Sequence, residues 1–424
     1  MKRVAVLFCG QGSQYVGMGR KLFEREPLVQ QMFARAGEVL DLDLQKLCFD
    51  GPAERLNSTE NTQPALLLCA LADYHVWRAR TGLAPAYMAG HSLGELSALV
   101  AAEALSFEDG LRLARERGLA MSRCTAAGAA GMAAVTQLDT GQVLQACRGI
   151  AGFGSEFVLA NDNSPQQCVL SGSMAALRRA GETLKALGAS VIELKVSGPF
   201  HSPYMAEAGR VVGEQLSRMA LSRPGVPVIS NVDVRPHGEP ADIVDSLKRQ
   251  LVSPVRWRET LAWLHAQSVD VFLETGPRSV LKRLALANVP GATAYALDDA
   301  DDQAAIDHEF AAEQRSMRER PSLVTKCLAV AVCTRNHNWD ESEYQQGVVE
   351  PYRALQILQE QLESQGREAS ESEMRTALTL LDRIFATKRT PAEERSWRLD
   401  QILETTGTRP LLGDIAAAAL NDRD

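Results

Sequence analysis

The sequence has 424 residues, of which 45% are hydrophobic and 23% are charged, a composition ordinary for a globular protein of roughly two or three domains. Its net charge of −8 lies in residues 301–424, which carry 15 lysines and arginines against 23 acidic residues, so residues 1–300 are neutral. Neither part has the basic stripe with interleaved aromatic residues that favours nucleic-acid binding. No apolar stretch approaches the roughly 20 residues of a membrane-spanning helix. We therefore expect a cytoplasmic protein that binds neither nucleic acid nor a membrane.

The cysteines and histidines lack the spacing of a metal site. The eight cysteines are scattered singly, without a C-x-x-C pair, and none of the seven histidines forms an H-x-x-x-H pair. These patterns favour reduced, mostly buried thiols and a protein without a bound metal.

The first element is predicted to be a buried strand. Val4–Phe8 is a continuous apolar run, typical of a strand covered on both faces, and it leads into the loop Cys9-Gly10-Gln11-Gly12-Ser13-Gln14. This loop is not a phosphate-binding loop, because Tyr15 stands where G-x-G-x-x-G needs its third glycine. Helical patterning follows around Leu22–Leu40 and in Pro64–Trp77.

The next segment has the pattern of a nucleophilic serine on a sharp turn. Ala86–Ala89 predicts a short buried strand, Gly90-His91-Ser92-Leu93-Gly94 a turn, and Glu95–Ala102 a helix. Flanking glycines permit strained backbone angles, so the hydroxyl of Ser92 would project at the helix N-terminus, where N–H groups favour negative charge. The chemistry indicated is acyl transfer through a serine ester. G-x-S-x-G also occurs by chance in Gly/Ser-rich turns, which is the alternative at this point.

The following helix carries a candidate substrate-binding arginine. Ser106-Phe107-Glu108-Asp109 is a capping-box start for a helix that runs to about Cys124. Arg117 on this helix is either an exposed cation on a charged face or a guanidinium that pairs with a substrate carboxylate in a geometry lysine cannot reproduce.

Residues 128–197 contain smaller, alternating elements. A turn is predicted at Asn161-Asp162-Asn163-Ser164-Pro165. The other elements are two helices, Thr140–Cys147 and Met174–Leu187, and four strands, Met132–Val135, Phe157–Ala160, Cys168–Ser171 and Val191–Val196. This β-α-β-β-α-β order is that of a ferredoxin-like fold.

The sequence thus predicts an α/β protein in three parts. Residues 1–126 and 199–300 form a hydrolase-like large domain with a parallel sheet, and residues 127–198 form an inserted ferredoxin-like subdomain. The large domain resumes with strands at Pro227–Ser230 and Val269–Leu273 and helices near 243–251 and 259–265. Residues 301–424 form an acidic, mainly helical extension, with helices at Tyr352–Glu363, Ser372–Ala386 and Ala392–Leu403.

A serine nucleophile needs a base, and His201 is the leading candidate. It stands in Ser197-Gly198-Pro199-Phe200-His201-Ser202-Pro203, a loop bounded by glycine and proline where the chain returns from the subdomain. His91 precedes Ser92 directly and would point away from its hydroxyl. The alternative for each histidine is a hydrogen-bonded structural role.

These positions together resemble the malonyl-CoA:acyl-carrier-protein transacylase family of fatty acid and polyketide synthesis. The resemblance covers about residues 3–297. The matching motifs are, in order, residues 8–14, Gln63-Pro64, residues 90–95, Arg117-Gly118, residues 161–165, residues 198–202, residues 231–233, residues 249–251 with 254–257, and Glu274-Thr275-Gly276-Pro277.

The resemblance implies a mechanism and a set of site residues. Ser92 would attack the thioester of malonyl-CoA, and His201, oriented by a main-chain carbonyl near Gln250, would take its proton. The N–H groups of Gln11 and Leu93 would form the oxyanion hole. The substrate-binding residues would be Arg117, which pairs with the malonate carboxylate, together with Gln63, His91 and Phe200. The acyl group would pass to the phosphopantetheine thiol of an acyl carrier protein with ping-pong kinetics, and the enzyme itself would need no cofactor.

Three features depart from the family pattern. Cys9 stands where the family has proline, and residues beyond about 300 have no counterpart in the minimal family. Phe200 resembles the choice of malonyl-using polyketide acyltransferases and would fill space that an α-methyl group needs. The acidic extension should repel an acidic carrier protein. It is expected instead to cover the core, to form oligomers, or to bind polyketide synthase components.

Three functions remain open from the sequence. The first is a free-standing acyltransferase that loads malonyl units for a polyketide synthase lacking built-in acyltransferases. The second is an editing hydrolase that releases acyl groups from carrier proteins, which Arg117 disfavours because a neutral acyl chain would leave a buried cation unpaired. The third is an inactive scaffold whose extension binds other proteins.

Overall fold

The apolar run at the N-terminus forms the middle strand of a parallel sheet. In the computed structural model, which describes residues 2–124, 129–318, 321–365, 367–409 and 412, this strand is β1 (Val4–Phe8). All five side chains are buried, and they alternate between two cores: Val4, Val6 and Phe8 pack on one side, and Ala5 and Leu7 on the other. The chain divides into two units, Met1–Phe310 and Ala311–Asp424, each described separately below.

The elements of the first unit follow the predicted order. Short 3-10 helices lie at Pro203–Met205 and Ala300–Asp302. The strands after β1 are β2 (Tyr87–Gly90), β3 (Ala130–Thr136), β4 (Phe157–Ser164), β5 (Gln167–Ser173), β6 (Ser190–Glu193), β7 (Val228–Ile229), β8 (Val271–Thr275) and β9 (Thr293–Ala296). The helices are α1 (Arg20–Arg25), α2 (Pro27–Leu40), α3 (Leu44–Asp50), α4 (Ala53–Asn57), α5 (Thr59–Thr81), α6 (Leu93–Ala101), α7 (Phe107–Arg123), α8 (Thr140–Arg148), α9 (Met174–Ala186), α10 (Ala206–Leu216), α11 (Pro240–Gln250), α12 (Trp257–Ala266), α13 (Val280–Asn288) and α14 (Gln303–Glu309).

The large sheet brings the candidate site loops to one edge. Its strand order is β7-β2-β1-β8-β9, and every pairing is parallel. Phe8 is in register with Gly90 on one side and with Thr275 on the other. The carboxyl ends of β1, β2 and β8 therefore lie side by side, which is where open parallel sheets place their ligands.

The inserted subdomain has the ferredoxin-like order predicted from the sequence. Its antiparallel sheet runs β4-β5-β3-β6, with α8 and α9 as the two connecting helices. The turn predicted at residues 161–165 is wrong for most of its length, because β4 continues to Ser164 and pairs with β5 through two register shifts. Asn161 also bridges Val255 of the large domain. These pairings override the turn preference of the polar residues.

The first unit ends at Phe310, ten residues beyond the end predicted at residue 300. Ile306 and Phe310 belong to its hydrophobic core, and the Phe310 ring meets the edge of Trp77 at 5.7 Å between centroids. Lys2 forms an ion pair with Glu309 at 2.6 Å. Helix α14 is therefore part of the first unit, despite its acidic surroundings.

The second unit is mainly helical, as predicted, and has its own core. A capping box at Ser370 begins one of its helices, and a π-helix lies at Gln345–Val349. Its helices are α15 (Ala311–Arg318), α16 (Leu323–Cys333), α17 (Glu341–Tyr344), α18 (Glu350–Gln365), α19 (Glu371–Thr387) and α20 (Ala392–Thr406). Its buried residues include Leu323, Leu355, Leu381, Phe385 and Leu403. Across the described part of the whole chain, no helix has the length and apolarity to span a membrane.

Candidate active site

Ser92 lies on a strained turn between β2 and α6. Its φ of 55° and ψ of −103° are unusual for a residue with a side chain, and such backbone strain costs on the order of 1–3 kcal/mol. Glycine is required on both sides: a Cβ on Gly90 would lie 1.9 Å from the carbonyl carbon of Gly94, and one on Gly94 would lie 2.0 Å from the oxygen of Phe8. Ser92 makes no side-chain capping bond to α6, so its hydroxyl is available to His201 and Arg117, which are described next.

His201 is hydrogen-bonded to Ser92 and held in one tautomer. Its Nε2 lies 2.7 Å from Oγ of Ser92, and its Nδ1 lies 2.9 Å from the main-chain oxygen of Gln250. Because a carbonyl oxygen only accepts, Nδ1 carries the proton and Nε2 accepts from the serine hydroxyl. Burial, followed by the charge of Arg117, lowers the pKa of His201 to about 3. The imidazole is therefore neutral at pH 7 and can act as a base.

Arg117 is a buried cation surrounded by neutral acceptors. Its Nη1 donates to Oε1 of Gln63 at 2.8 Å, and its Nη2 donates to Oε1 of Gln250 at 2.9 Å and to Oγ of Ser92 at 3.1 Å. Burial lowers its pKa to about 10, and the charge of Glu95 opposes that shift, so the guanidinium stays charged at pH 7. The side chain forms no ion pair with any described residue. An anionic substrate group would supply the missing partner.

A glycine on α7 brings Gln63 to this guanidinium. A Cβ on Gly118 would lie 2.5 Å from Cα of Glu60, so α5 packs closely against α7 only because residue 118 has no side chain. Gln63 is fully buried, and its amide also contacts the sulfur of Met121 at 3.3 Å. The resemblance implied that Gln63 binds the substrate; in the structure its side-chain oxygen accepts from Arg117 and helps to orient that guanidinium.

The N–H groups of Gln11 and Leu93 lie at the adjacent strand ends. Leu93 is the first residue of α6, so its N–H has no partner inside the helix. Gln11 follows β1, whose last residue is in register with the last residue of β2. Its side chain donates to Oγ1 of Thr59 at 3.2 Å. This register brings the two candidate oxyanion donors to the same edge of the sheet.

The site opens into a cavity of about 980 Å³ between the large domain and the subdomain. His91 lines it but is bonded away from Ser92: its Nε2 lies 2.9 Å from Oδ1 of Asn163, and its ring meets the edge of Trp257. Burial lowers the pKa of His91. Phe200 is buried in the wall, 5% exposed. Further lining residues come from both parts, including Gln11, Met121, Met132, Val169 and Leu284.

Asn231 and Glu95 were not assigned a role from the sequence. Oδ1 of Asn231 accepts from the N–H of Ser92 at 2.8 Å, and its Nδ2 donates to the oxygen of Gly90 at 2.8 Å. Nε2 of Gln250 donates to the oxygen of Ser92 at 3.0 Å and to the carboxylate of Glu95 at 2.8 Å. Asn231 directly follows a predicted strand of the same sheet, and this position was the sequence signal that could have placed it in the site.

Comparisons with known proteins identify the family of this chain. The acyl transferase domain family matches residues 6–294. A malonyl CoA-acyl carrier protein transacylase of Escherichia coli (strain K12) is 42% identical over 306 residues, covering 72% of this chain and 99% of that protein. One of Bacillus subtilis is 32% identical over 395 residues, 93% of this chain and 99% of that protein, so this match continues well into the second unit.

A solved structure is similar to this chain over most of its length. It is a holo complex, PlMCAT:AntF, of a type II PKS acyl-carrier protein with its malonyl-transacylase. The similarity has a TM-score of 0.70 and 39% sequence identity, and it covers 73% of this chain and 100% of the matched one. The chain therefore belongs to the acyl transferase domain family, as a malonyl CoA-acyl carrier protein transacylase.

Proposed function

We propose that this protein moves a malonyl group from malonyl-CoA to the phosphopantetheine thiol of an acyl carrier protein, through an ester on Ser92. The carrier protein that it loads belongs to a polyketide synthase. The observation that carries the proposal is the buried, charged guanidinium of Arg117, 3.1 Å from Oγ of Ser92 and bonded only to neutral acceptors among the described residues. A charge-assisted, two-point contact with a carboxylate matches this guanidinium.

The first half-reaction forms the ester. Oγ of Ser92 attacks the thioester carbonyl while its proton passes to Nε2 of His201. The oxyanion of the tetrahedral intermediate accepts hydrogen bonds from the N–H groups of Gln11 and Leu93, each worth roughly 3–4 kcal/mol in comparable sites. The C–S bond then breaks, and His201 returns the proton to the leaving thiolate of coenzyme A.

The second half-reaction runs the same steps with a new thiol. The carrier protein's thiol gives its proton to His201 and attacks the ester carbonyl, and the C–O bond to Ser92 breaks as His201 reprotonates the serine oxygen. The carrier leaves with the malonyl thioester, and the enzyme returns to its starting state.

The polyketide assignment rests on two features. Phe200 narrows the cavity wall beside His201, which fits an acyl chain without an α-methyl group. The second unit has its own core and two exposed tryptophans, Trp339 at 90% and Trp397 at 54% exposure, which suit binding to synthase components. Fatty acid synthesis is the competing assignment. Comparing transfer rates to purified carrier proteins of the two pathways distinguishes them: faster transfer to the fatty acid carrier would overturn the polyketide assignment.

The substrate is tested by competition. The protein is mixed with equimolar malonyl-, methylmalonyl- and acetyl-CoA, and the acyl-enzyme is identified by intact mass before and after a holo carrier protein is added. We expect a malonyl adduct that moves to the carrier faster than it is lost to water. Predominant hydrolysis, with little transfer, would identify an editing hydrolase instead.

A further inference from the structure

A buried carboxylate lies directly behind the nucleophile. Glu95, three residues after Ser92 in the first turn of α6, has a fully buried side chain. Its Oε2 accepts from the main-chain N–H of Asn231 at 2.9 Å and from Nε2 of Gln250 at 2.8 Å. Its Oε1 lies 2.8 Å from Nε2 of His237, whose side chain is 1% exposed. One carboxylate therefore accepts from three donors, two in the loop after β7 and one at the end of α11.

Two of those donors belong to residues that also contact the candidate site: Asn231 contacts Ser92, and Gln250 contacts Ser92, His201 and Arg117. The side-chain amide of Asn231 fixes the N–H of Ser92, and the side-chain amide of Gln250 fixes its carbonyl oxygen. The same Gln250 amide accepts from Arg117, and the Gln250 main chain accepts from His201. A shift of the carboxylate would thus move the nucleophile, the base and the cation together.

His237 is the partner that keeps this carboxylate in place. An ionised carboxylate only accepts, so Nε2 of His237 carries a proton and donates to Glu95. Its main chain is fixed by a bond from its N–H to the oxygen of Val228 in β7, at 2.8 Å. A buried carboxylate that loses one of its donors pays a desolvation cost and turns toward another donor.

His237 also lines a second cavity. This cavity of about 390 Å³ shares no lining residue with the active-site cavity. Its other lining residues include Asp233, Asp242, Asp245 and Arg249.

We infer that Glu95 and His237 are positioning residues for acyl transfer, a pair that fixes Asn231 and Gln250 and through them Ser92, His201 and Arg117. The inference rests on the proposed role of Ser92 as the nucleophile. If Glu95 and His237 are positioning residues, replacing them lowers the acylation rate of each folded active site. If they only stabilise the fold, replacing them lowers the amount of folded enzyme and leaves that rate unchanged.

The test measures the single-turnover rate of acyl-serine formation at saturating acyl-CoA, normalised to the number of sites that load, in the full-length chain. We expect His237→Ala to lower this rate about tenfold, since small misplacements of reacting groups cost up to about 100-fold. KM for malonyl-CoA should rise as Arg117 loses its fixed partner. Glu95→Gln keeps an acceptor for Asn231 and Gln250, and its rate should stay within about threefold of wild type.

A double-mutant cycle tests whether His237 acts through Glu95. If it does, Glu95→Ala with His237→Ala should be no slower than Glu95→Ala alone, because the effects of coupled residues do not add. If Glu95→Ala does not fold, the His237→Ala and Glu95→Gln rates decide the question. Asp245→Asn is the matched control: it lines the same second cavity but its carboxylate bonds to Arg249, and it should load at the wild-type rate.

Two results would overturn the inference: a wild-type rate per loaded site in His237→Ala, whatever its melting temperature, or independent effects in the double variant. The wild-type protein separates this inference from the proposed function. If it loads acetyl-CoA but not malonyl-CoA, the proposed substrate is wrong, and the ratio of variant to wild-type rates with acetyl-CoA still decides the positioning role.

Discussion

Nη2 of Arg117 lies 3.1 Å from Oγ of Ser92, so the buried cation of α7 and the hydroxyl of the nucleophile turn are direct neighbours. An acyl group esterified to this oxygen has its carbonyl at Ser92 and its next carbons within reach of the guanidinium. A terminal carboxylate on a short chain can therefore meet Arg117 without leaving the oxyanion site. The short distance between Arg117 and Ser92 therefore makes the preference for a malonyl group depend on the position of the Arg117 side chain.

Replacing Arg117 should change substrate preference. Arg117→Ala removes the guanidinium 3.1 Å from Oγ of Ser92, so we expect malonyl loading to fall about 100-fold, equivalent to about 2.7 kcal/mol. Loading of the neutral acetyl group should be retained or improved. Single-turnover acylation with each acyl-CoA measures both. Arg112→Ala is the control on the same helix, because Arg112 is exposed and pairs with Asp109. An unchanged malonyl preference in Arg117→Ala would contradict the carboxylate contact.

Adding one methyl group at Gly118 should displace Gln63 from Arg117. The new Cβ would lie 2.5 Å from Cα of Glu60, which forces α5 away from α7 and carries Gln63 off Arg117. We expect Gly118→Ala to lower the free energy of unfolding by about 2 kcal/mol, as overpacking does, and to slow malonyl loading.

A matched glycine should respond in the opposite direction. Gly213 lies inside α10, and a Cβ there would meet only the flexible Lys248 side chain, 3.4 Å away at its nearest atom. Gly213→Ala should therefore raise stability by about 0.5–1 kcal/mol. Urea unfolding of both variants measures the two effects, and equal stability changes would show that the close approach at Gly118 does not matter.

His201 should make the folded state less stable as the pH falls. Burial and the charge of Arg117 lower its pKa to about 3 in the folded protein, whereas in the unfolded chain it is about 6.5. Below pH 6.5 the unfolded chain binds a proton that the folded site does not, which costs about 2 kcal/mol of stability by pH 5.

Comparing the wild-type protein with His201→Ala isolates this effect. The difference in free energy of unfolding between the two should change by about 2 kcal/mol from pH 7 to pH 5, with the wild type losing more. A difference that stays constant over this range would mean that the folded site binds the proton after all.

A chain cut after Phe310 should keep a stable first unit, whereas a chain cut after residue 302 should not. A chain of residues 1–310 keeps every candidate site residue and the core side chains Ile306 and Phe310, so it should load malonyl at the full-length rate. A chain of residues 1–302 loses both core side chains, and the loss of a buried phenylalanine alone costs about 3–5 kcal/mol. Thermal unfolding and loading of both chains test this. Equal stability of the two would contradict the assignment of α14 to the first unit.

The same truncation tests the role of the second unit. If that unit binds synthase components, the 1–310 chain should transfer malonyl normally in vitro but fail to support product formation in cells. Normal product formation would exclude a required tethering role.

Much of the fold was predictable because its signals are local. The unbroken apolar run at β1 indicated a strand covered on both faces, and the alternation of short elements indicated the ferredoxin-like subdomain; both are confirmed. The predicted turn at residues 161–165 is wrong because its polar residues pair with β5 and with Val255, partners distant in sequence. The end of the first unit was placed too early because composition does not reveal that Phe310 packs on Trp77.

The candidate site was predictable where a residue carries its own signal. Ser92 lies between two glycines and His201 in a loop punctuated by glycine and proline, and the structure brings the two side chains within 2.7 Å. Asn231 carries only its position after a predicted strand, and Glu95 and His237 carry no such signal. Strand register and the packing of α6 against β7 bring them together, and neither can be read from one sequence without an alignment.

The mass of the intact protein after brief incubation with malonyl-CoA tests the role of Ser92 most directly. We expect one added malonyl group, located on Ser92 by peptide mapping, absent in Ser92→Ala, and removed when a holo carrier protein is added. A folded wild-type protein that gains no malonyl group, or one that carries it on a residue other than Ser92, would contradict the role of Ser92 as the nucleophile.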